Sequence, residues 1–473
     1  MADLSIIEKL PQIIKNGTEE ARNILDRPLE NLITEKEIII TNSNYREIVY
    51  KDKWINQLYR GDNLIVIEKL LKEGYKGKID LIYIDPPFLT KTNYMGRITV
   101  KNGEEKEIIE HFAYRDTWED GLITYLQTLY TRLYLMRELL SDKGSIYVHL
   151  DYRTIHYVKI LMDQIFGGEN FLNEIIWAYK SGGVSKRYYS RKHDNILVYS
   201  KGEDYIFNVQ KEKSYNRGFK PYRFKEVEEF EDELGWYTLV NLRDVWHIDM
   251  VGRTSKERVG YDTQKPEELL QRIIYSSSNE GSIVVDFFAG SGTTGIVAEK
   301  LNRKWIMVDK GALSLNTINK RLIESKSSPY NIFKTKNVFN EPGKLFIKNL
   351  AIIENEEGVE ELNIELDRYI IDIDEIDVKD KYKDKLKEIL LKESLALIDF
   401  IGIDINYDGR IPVISWQDYR TNDKLIIDSN IKIMDKNLKD SRKIYIKCVD
   451  IFGFEYSTVY EINSERMVIC QES

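Results

Sequence analysis

Between residues 55 and 308, short apolar runs alternate with stretches of helical periodicity, and nothing else in the chain limits its fold so strongly. The runs at 55–59, 79–84, 145–150, 174–179, 195–199, 283–286 and 305–308 read as strands, and helical periods fill 63–71, 122–140 and 154–166. Strands separated by helices pair in parallel, because a helical crossover returns the chain in the same direction. A parallel sheet needs cover on both faces, which explains why its strands are apolar throughout rather than on alternate residues. The expectation is an α/β fold with a mostly parallel sheet. Ligands of such a sheet sit at strand carboxyl ends, where the strand order switches.

One strand end carries unusual chemistry. The run at 79–84 stops at Asp85-Pro86-Pro87-Phe88. Proline fixes φ and lacks a donor, so the pair makes a stiff corner whose carbonyls only accept hydrogen bonds. A carboxylate oxygen and a proline carbonyl side by side suit the two N–H bonds of an exocyclic amino group. The aromatic that follows can stack on the ring bearing it. Taken alone, the tetrad is also an ordinary strand-ending turn.

A second strand end looks built for a nucleoside. Residues 282–286 run into Phe287-Phe288-Ala289-Gly290-Ser291-Gly292-Thr293-Thr294. Glycines at 290 and 292 allow a tight turn, and the helix start beyond them offers unpaired N–H groups. About twenty residues on, the next strand ends at Asp309, a spacing that suits a carboxylate accepting from ribose hydroxyls. Gly290, Gly292 and Gly295 also satisfy the Gly-x-Gly-x-x-Gly of a dinucleotide dehydrogenase, so a plain Rossmann dehydrogenase is the rival reading of this segment taken alone. Upstream, Asp262-Thr263-Gln264-Lys265-Pro266-Glu267-Glu268 reads as a helix start, with proline in the first turn and two acids against the dipole. Tyr59-Arg60-Gly61-Asp62-Asn63 closes another strand with an acid, equally readable as a turn.

Together these segments resemble the beta class of DNA amino-methyltransferases. The Asp-Pro-Pro-aromatic signature precedes the cofactor turn by some two hundred residues, and Thr-Gln-Lys-Pro stands just before that turn. Residues 139–151, 166–171 and Ile176-Trp177 are similar to modification subunits of Type III restriction systems, and the likeness spans roughly residues 50 to 325. It implies the Rossmann-like fold of methyltransferases that depend on S-adenosyl-L-methionine, a target-recognition insert and a homodimer. It also implies double-stranded DNA as substrate and leaves open a separate restriction subunit. Catalytic residues would be Asp85, Pro86, Pro87 and Phe88, with Phe88 stacked on a base flipped from the duplex. The cofactor would be held by Asp62 at its adenine, by Thr263, Lys265 and Pro266 at its methionine end, and by Asp286, Phe288, Gly290, Gly292, Thr293, Thr294 and Asp309. An Asp-started tetrad implies adenine N6 over cytosine N4.

Other residues narrow the chemistry. Methylation at cytosine carbon needs a thiolate, and the two cysteines, Cys448 and Cys470, lie far from every motif. The five histidines show no ligand spacing, so no metal is expected. No apolar stretch approaches membrane-spanning length and the first residues lack a cleavable signal, which gives a cytoplasmic expectation, nucleoid-associated through DNA. The net charge of −9 conceals a local excess of about seven positive charges between residues 180 and 226. Aromatics interleave that stretch, so Lys186, Arg187, Arg191, Lys192, Arg217, Lys220 and Arg223 are expected on DNA rather than on a merely solvated loop.

The expected organisation is an N-terminal helical extension (1–50), with helices at 4–15 and 19–32 and a short strand at 38–40. A catalytic half (51–179), a basic target-recognition region (180–260) and a cofactor half (261–335) follow. The last part, 340–473, gathers acids, then a polar helix at 381–393 and alternating runs around an Asp408-Gly409 turn. It reads as an α+β or mostly β accessory module without a catalytic constellation. Two rivals stay open: a silent DNA-binding relative, and a methyltransferase of RNA or small molecules on the same fold. The intact motifs argue against the first and the basic-aromatic stretch against the second.

Overall fold

The computed structural model describes residues 5–28, 33–42, 54–90, 93–115, 121–252, 254–336, 343–354, 359–421, 423–435 and 442–462. Cys470, Glu356 and Glu357 lie outside them.

An eleven-stranded sheet forms the centre. Its parallel heart runs, side by side, through Leu140–Leu150, Ile79–Ile84, Ile283–Asp286, Lys304–Asp309, Asn56–Arg60 and Tyr330–Thr335. His193–Ser200 is reversed and wedged between Leu140–Leu150 and Phe171–Ala178. The short strand Val245–His247 lies parallel to Phe171–Ala178 at that edge.

The period of two along the central strand splits two cores. Ile82 and Ile84 face a core shared with helices Asn63–Leu70, Leu122–Leu139 and Ile155–Phe166. Leu81 and Tyr83 face the other, shared with Glu267–Ser277, Thr293–Lys300 and Ala312–Glu324. The chain therefore leaves the neighbouring ends of Ile79–Ile84 and Ile283–Asp286 toward opposite faces. A crevice opens between them, the switch point that open α/β sheets provide.

The observed strands and helices lie close to their expected bounds, but three regions differ in kind. The N-terminal segment is one helix, Ile6–Asp26, rather than two. Gly17, between the two expected helices, lies inside the single one and lets it approach Tyr130, whose Cδ1 would lie 2.4 Å from a Cβ there. The basic region contains a three-stranded sheet of Lys211–Tyr215, Glu229–Asp232 and Gly235–Asn241. Residues 93–115 form a hairpin, Asn93–Asn102 with Glu105–Arg115, turning at Gly103 (φ 63°).

That hairpin packs against the C-terminal module. Its Val100 and Ile109 are buried in the core of the C-terminal module, and Lys385–Glu107 (2.6 Å) and Lys379–Glu110 (2.9 Å) flank the contact. The module comprises a sheet of Lys344–Glu354, Glu360–Ile370 and Asn430–Asp435, helix Asp380–Glu393, and a second sheet. The second sheet holds Trp416–Tyr419, Ile398–Tyr407, Arg442–Asp450 and Glu455–Ile462. Beyond the Asp408-Gly409 turn the chain folds back, Trp416–Tyr419 running antiparallel to Ile398–Tyr407, and on the way it forms the short strand Val413–Ile414. It pairs in parallel with Ile33–Ile39, which itself runs antiparallel to Tyr330–Thr335. The module thus extends the central sheet.

Candidate active site

A cavity of about 1040 Å3 occupies the crevice, and the expected catalytic and cofactor segments converge on it. Asp85, Pro86, Pro87 and Phe88 line it at the end of Ile79–Ile84. The chain leaves the corner through Leu89 in the left-handed region (φ 59°), a conformation costing about 1–3 kcal/mol in a non-glycine residue. Asp85 Oδ2 accepts from the Lys265 ammonium. Its Oδ1 is buried and has no hydrogen-bond partner among the described residues. Such an atom is costly unless something donates to it. Lys265 Nζ also sits 5.5 Å from the centre of the Phe88 ring.

The cofactor half is assembled from three adjacent strand ends. After Ile283–Asp286 the chain turns through Gly290 (φ 52°) and Gly292 (φ 77°). A Cβ on Gly292 would lie 2.6 Å from Ile318 Cγ1, so glycine is required twice over. Asp286 accepts from Phe288 N (2.9 Å) and Thr294 Oγ1 (2.5 Å). Burial outweighs those bonds and pushes its carboxyl up to about 7. Asp309 accepts from Gly311 N (2.8 Å) and Gly290 N (2.9 Å), and burial raises its pKa too. Ser314 is a further partner, and a carboxylate with about four acceptor sites still has room for a hydroxyl. Asp62 caps helix Asn63–Leu70, accepting from Leu64 N (2.8 Å), and pairs with Arg132 at 2.9 Å.

Every expected cofactor residue lines the cavity except Pro266 and Gly292, the latter turning the chain behind Ser291 and Thr293, which do line it. Pro266 is buried at the N-cap of Glu267–Ser277, where its ring starts a helix rather than facing a ligand. Lys265 lines the cavity, but its ammonium reaches the Asp85 carboxylate instead of a purely methionine-end position. Its backbone faces the glycine turn, Thr293 Oγ1 donating to Lys265 O at 3.1 Å.

Beneath the Phe88 side lies a polar-aromatic wall that the sequence did not disclose. His149 is fully buried, with Nδ1 2.9 Å from Tyr83 Oη and Nε2 3.4 Å from Asp194. Tyr179 donates to Asp194 at 3.2 Å, and Trp177 Nε1 donates to Ile248 O at 2.8 Å. Burial pushes the Asp194 carboxyl up, but His149, Lys265 and Tyr179 more than offset it, leaving the pKa below the usual value. Tyr83, Trp177 and Asp194 all face the cavity. Only the strand-end position of Asp194 and its partners' burial could have flagged it, since single polar residues in strands carry no motif.

The basic residues stand apart from this cavity. Lys186, Arg187, Arg191, Arg217, Lys220 and Arg223 are exposed, and Lys192 is half-buried, donating to Ser181 O and Gly182 O. Tyr189 is 98% exposed, and Tyr188, Phe219, Tyr222 and Phe224 also face outward. Arg191 lies 3.9 Å from the Tyr152 ring centre, which fixes one end of the stretch beside helix Ile155–Phe166. Among the described residues no group of histidine, cysteine or acid side chains could hold a metal ion. No described helix is long and apolar enough to cross a membrane.

Comparison with known proteins identifies the arrangement. The family model described as DNA methylase matches residues 79–320, just over half of the chain. The chain is 30% identical over 259 residues to the Type II methyltransferase M.HpaI of Haemophilus parainfluenzae, covering 54% of this chain and 69% of that one. It is 28% identical over 259 residues to the DNA adenine methyltransferase YhdJ of Escherichia coli, covering 53% and 77%. Over 382 residues it is 25% identical to the probable Type III HindVI Mod subunit of Haemophilus influenzae, covering 54% of this chain and 48% of that protein. With its Asp-Pro-Pro-Phe corner and its glycine turn on one cavity, the chain belongs to the N6/N4 DNA methylase family.

Proposed function

We propose that the protein transfers a methyl group from S-adenosyl-L-methionine to the N6 amino group of an adenine flipped from double-stranded DNA. The observation that carries this reading is Asp85 Oδ1, buried and without a partner where the two halves of the cavity meet. The donor set fits the cofactor: a buried carboxyl at 286 with a pKa near 7 suits an ammonium, and Asp309 suits ribose hydroxyls. Bound there, the cofactor supplies an electrophilic sulfonium methyl.

The chain's own residues prepare the amino group. Asp85 Oδ1 and the Pro86 carbonyl accept its two protons, which frees the nitrogen lone pair from conjugation with the base. Lys265 holds the other Asp85 oxygen, so the carboxylate cannot rotate away. The Asp85 charge stabilises the positive charge that develops on nitrogen. Phe88 stacks on the base, and positioning of this kind supplies most of the rate. The nitrogen becomes acidic once methylated, so its proton leaves without a strong base. Lys186, Arg187, Arg191, Lys192, Arg217, Lys220 and Arg223, with the outward aromatics, provide the phosphate and base contacts of the target-recognition surface.

Adenine is favoured over cytosine by the Asp-started tetrad and by the likeness to a DNA adenine methyltransferase. The test is transfer from labelled cofactor to duplex DNA of low background methylation, with nucleoside mass analysis. N6-methyladenine is expected. N4-methylcytosine would overturn the base assignment, and labelling of RNA in preference to DNA would overturn the substrate class.

A further inference from the structure

The C-terminal module, for which the sequence offers no chemistry, reaches the same cavity. Phe452 and Phe454 line it from the turn between strands Arg442–Asp450 and Glu455–Ile462. This turn is firmly built. Asp450 Oδ1 accepts from Phe452 N and Phe454 N, both at 2.9 Å, and its Oδ2 accepts from Tyr369 Oη at 2.9 Å. The strands close it through Asp450 N to Phe454 O at 3.0 Å.

Its position is equally defined. Gly453 adopts φ 85°, and a Cβ there would lie 2.3 Å from Ala312 Cβ, so the turn sits directly on the loop that follows Asp309. Next to Phe454, Glu455 pairs with Arg60 at 2.7 Å, and Arg60 leads into Gly61-Asp62. The same carboxylate meets Lys334 and Lys447, each at 2.7 Å, and all four side chains are at most 8% exposed. Both loops that would flank a nucleoside, 309–312 and 60–62, are therefore clamped by residues 453 and 455, with Phe454 between them.

We infer that the C-terminal module supplies the aromatic wall of the nucleoside end of the cofactor site, with the half-buried Phe454 packed on the adenine ring. An apolar ring face is what a purine wants against it, and the polar edges of the nucleoside are left to Asp62 and Asp309. The inference rests on the cofactor reading above. It makes the module part of the binding site rather than a detachable accessory.

The experiment uses the full chain and titrates S-adenosylhomocysteine into wild type, Phe454→Ala and Phe454→Leu, with DNA affinity and near-ultraviolet circular dichroism recorded in parallel. Phe454→Ala should weaken S-adenosylhomocysteine at least tenfold, and adenosine should lose its power to compete while methionine keeps its own. DNA affinity should stay within twofold. Phe454→Leu retains bulk without the ring face, so it should lose affinity threefold or more while remaining folded, and it decides the matter if the alanine variant fails to fold. Unchanged S-adenosylhomocysteine affinity in a folded Leu variant would overturn the wall. Wild-type protein that binds neither S-adenosylhomocysteine nor S-adenosylmethionine would remove the cofactor reading, and this inference with it.

Discussion

Cofactor affinity should depend on pH through Asp286. Its carboxyl is fully enclosed, and burial lifts its pKa to about 7 despite bonds from Thr294 Oγ1 and Phe288 N. In the free protein the sign is unfavourable to ionisation. The native state holds its proton more tightly than the unfolded chain, so this group's stabilising contribution is complete below pH 4 and is lost as pH rises through 7. The gap from the ordinary 3.8 corresponds to roughly 4 kcal/mol. A cationic ammonium reverses the preference, because it binds the carboxylate and not the acid. The competent fraction is then the ionised one, about 3% at pH 5.5 and about three quarters at pH 7.5, so the apparent Kd should tighten roughly twentyfold across that window. The cofactor's own amino group, with a usual pKa of about 7.7–8.0, is still mostly protonated at pH 7.5 and trims the gain only to about fifteen- to twentyfold. Isothermal titration of S-adenosylmethionine across pH 5.5–7.5, in wild type and Asp286→Asn, reads this directly. Asp309 is also raised by burial but is assigned to neutral hydroxyls, so the Asn variant should bind weakly and without slope. A flat wild-type profile, or an Asn variant that keeps the slope, would refute the reasoning.

Further outcomes follow from the same geometry. Asp85→Ala should lower methyl transfer about a thousandfold or more, yet leave S-adenosylhomocysteine affinity within a few-fold; loss of cofactor binding in parallel would make the corner structural. Gly292→Ala forces a left-handed φ on a side chain and drives its Cβ against Ile318, costing about 3 kcal/mol, so thermal denaturation should move down and cofactor affinity fall. Replacing Lys186, Arg187, Arg191 and Lys192 with alanine should reduce the slope of log K against log salt by about 0.9 for each phosphate contact removed. An unchanged slope would place the recognition surface elsewhere.

The parts of this molecule that could be read from sequence are those in which function and local structure use the same residues. Ile79–Ile84 and Ile283–Asp286 carry both the parallel-sheet signal and the chemistry at their ends, and both strands are observed with the expected bounds. Lys265 was legible as a member of the site but not as the partner of Asp85, because that contact spans 180 residues and no local pattern encodes it. Pro266 sits at a helix start off the cavity wall, and a proline there looks alike in sequence whether it serves the helix or a ligand. The wall of Tyr83, His149 and Asp194 was illegible, since it brings together single residues of three strands. Hairpin 93–115 escaped although its strands pair with each other, because what buries its Val100 and Ile109 is the distant C-terminal module. Of the run at 410–415, only its parallel pairing with Ile33–Ile39 was hidden, since that partner lies far away in the chain.

The most direct test of the account is to express wild type and Asp85→Ala in a host without DNA methylation and read modified bases along the genome by single-molecule sequencing. N6-methyladenine at one recurring sequence with wild type, and none with the variant, is the predicted result. No modified base from folded, cofactor-binding wild-type protein, or equal modification by the variant, would contradict it.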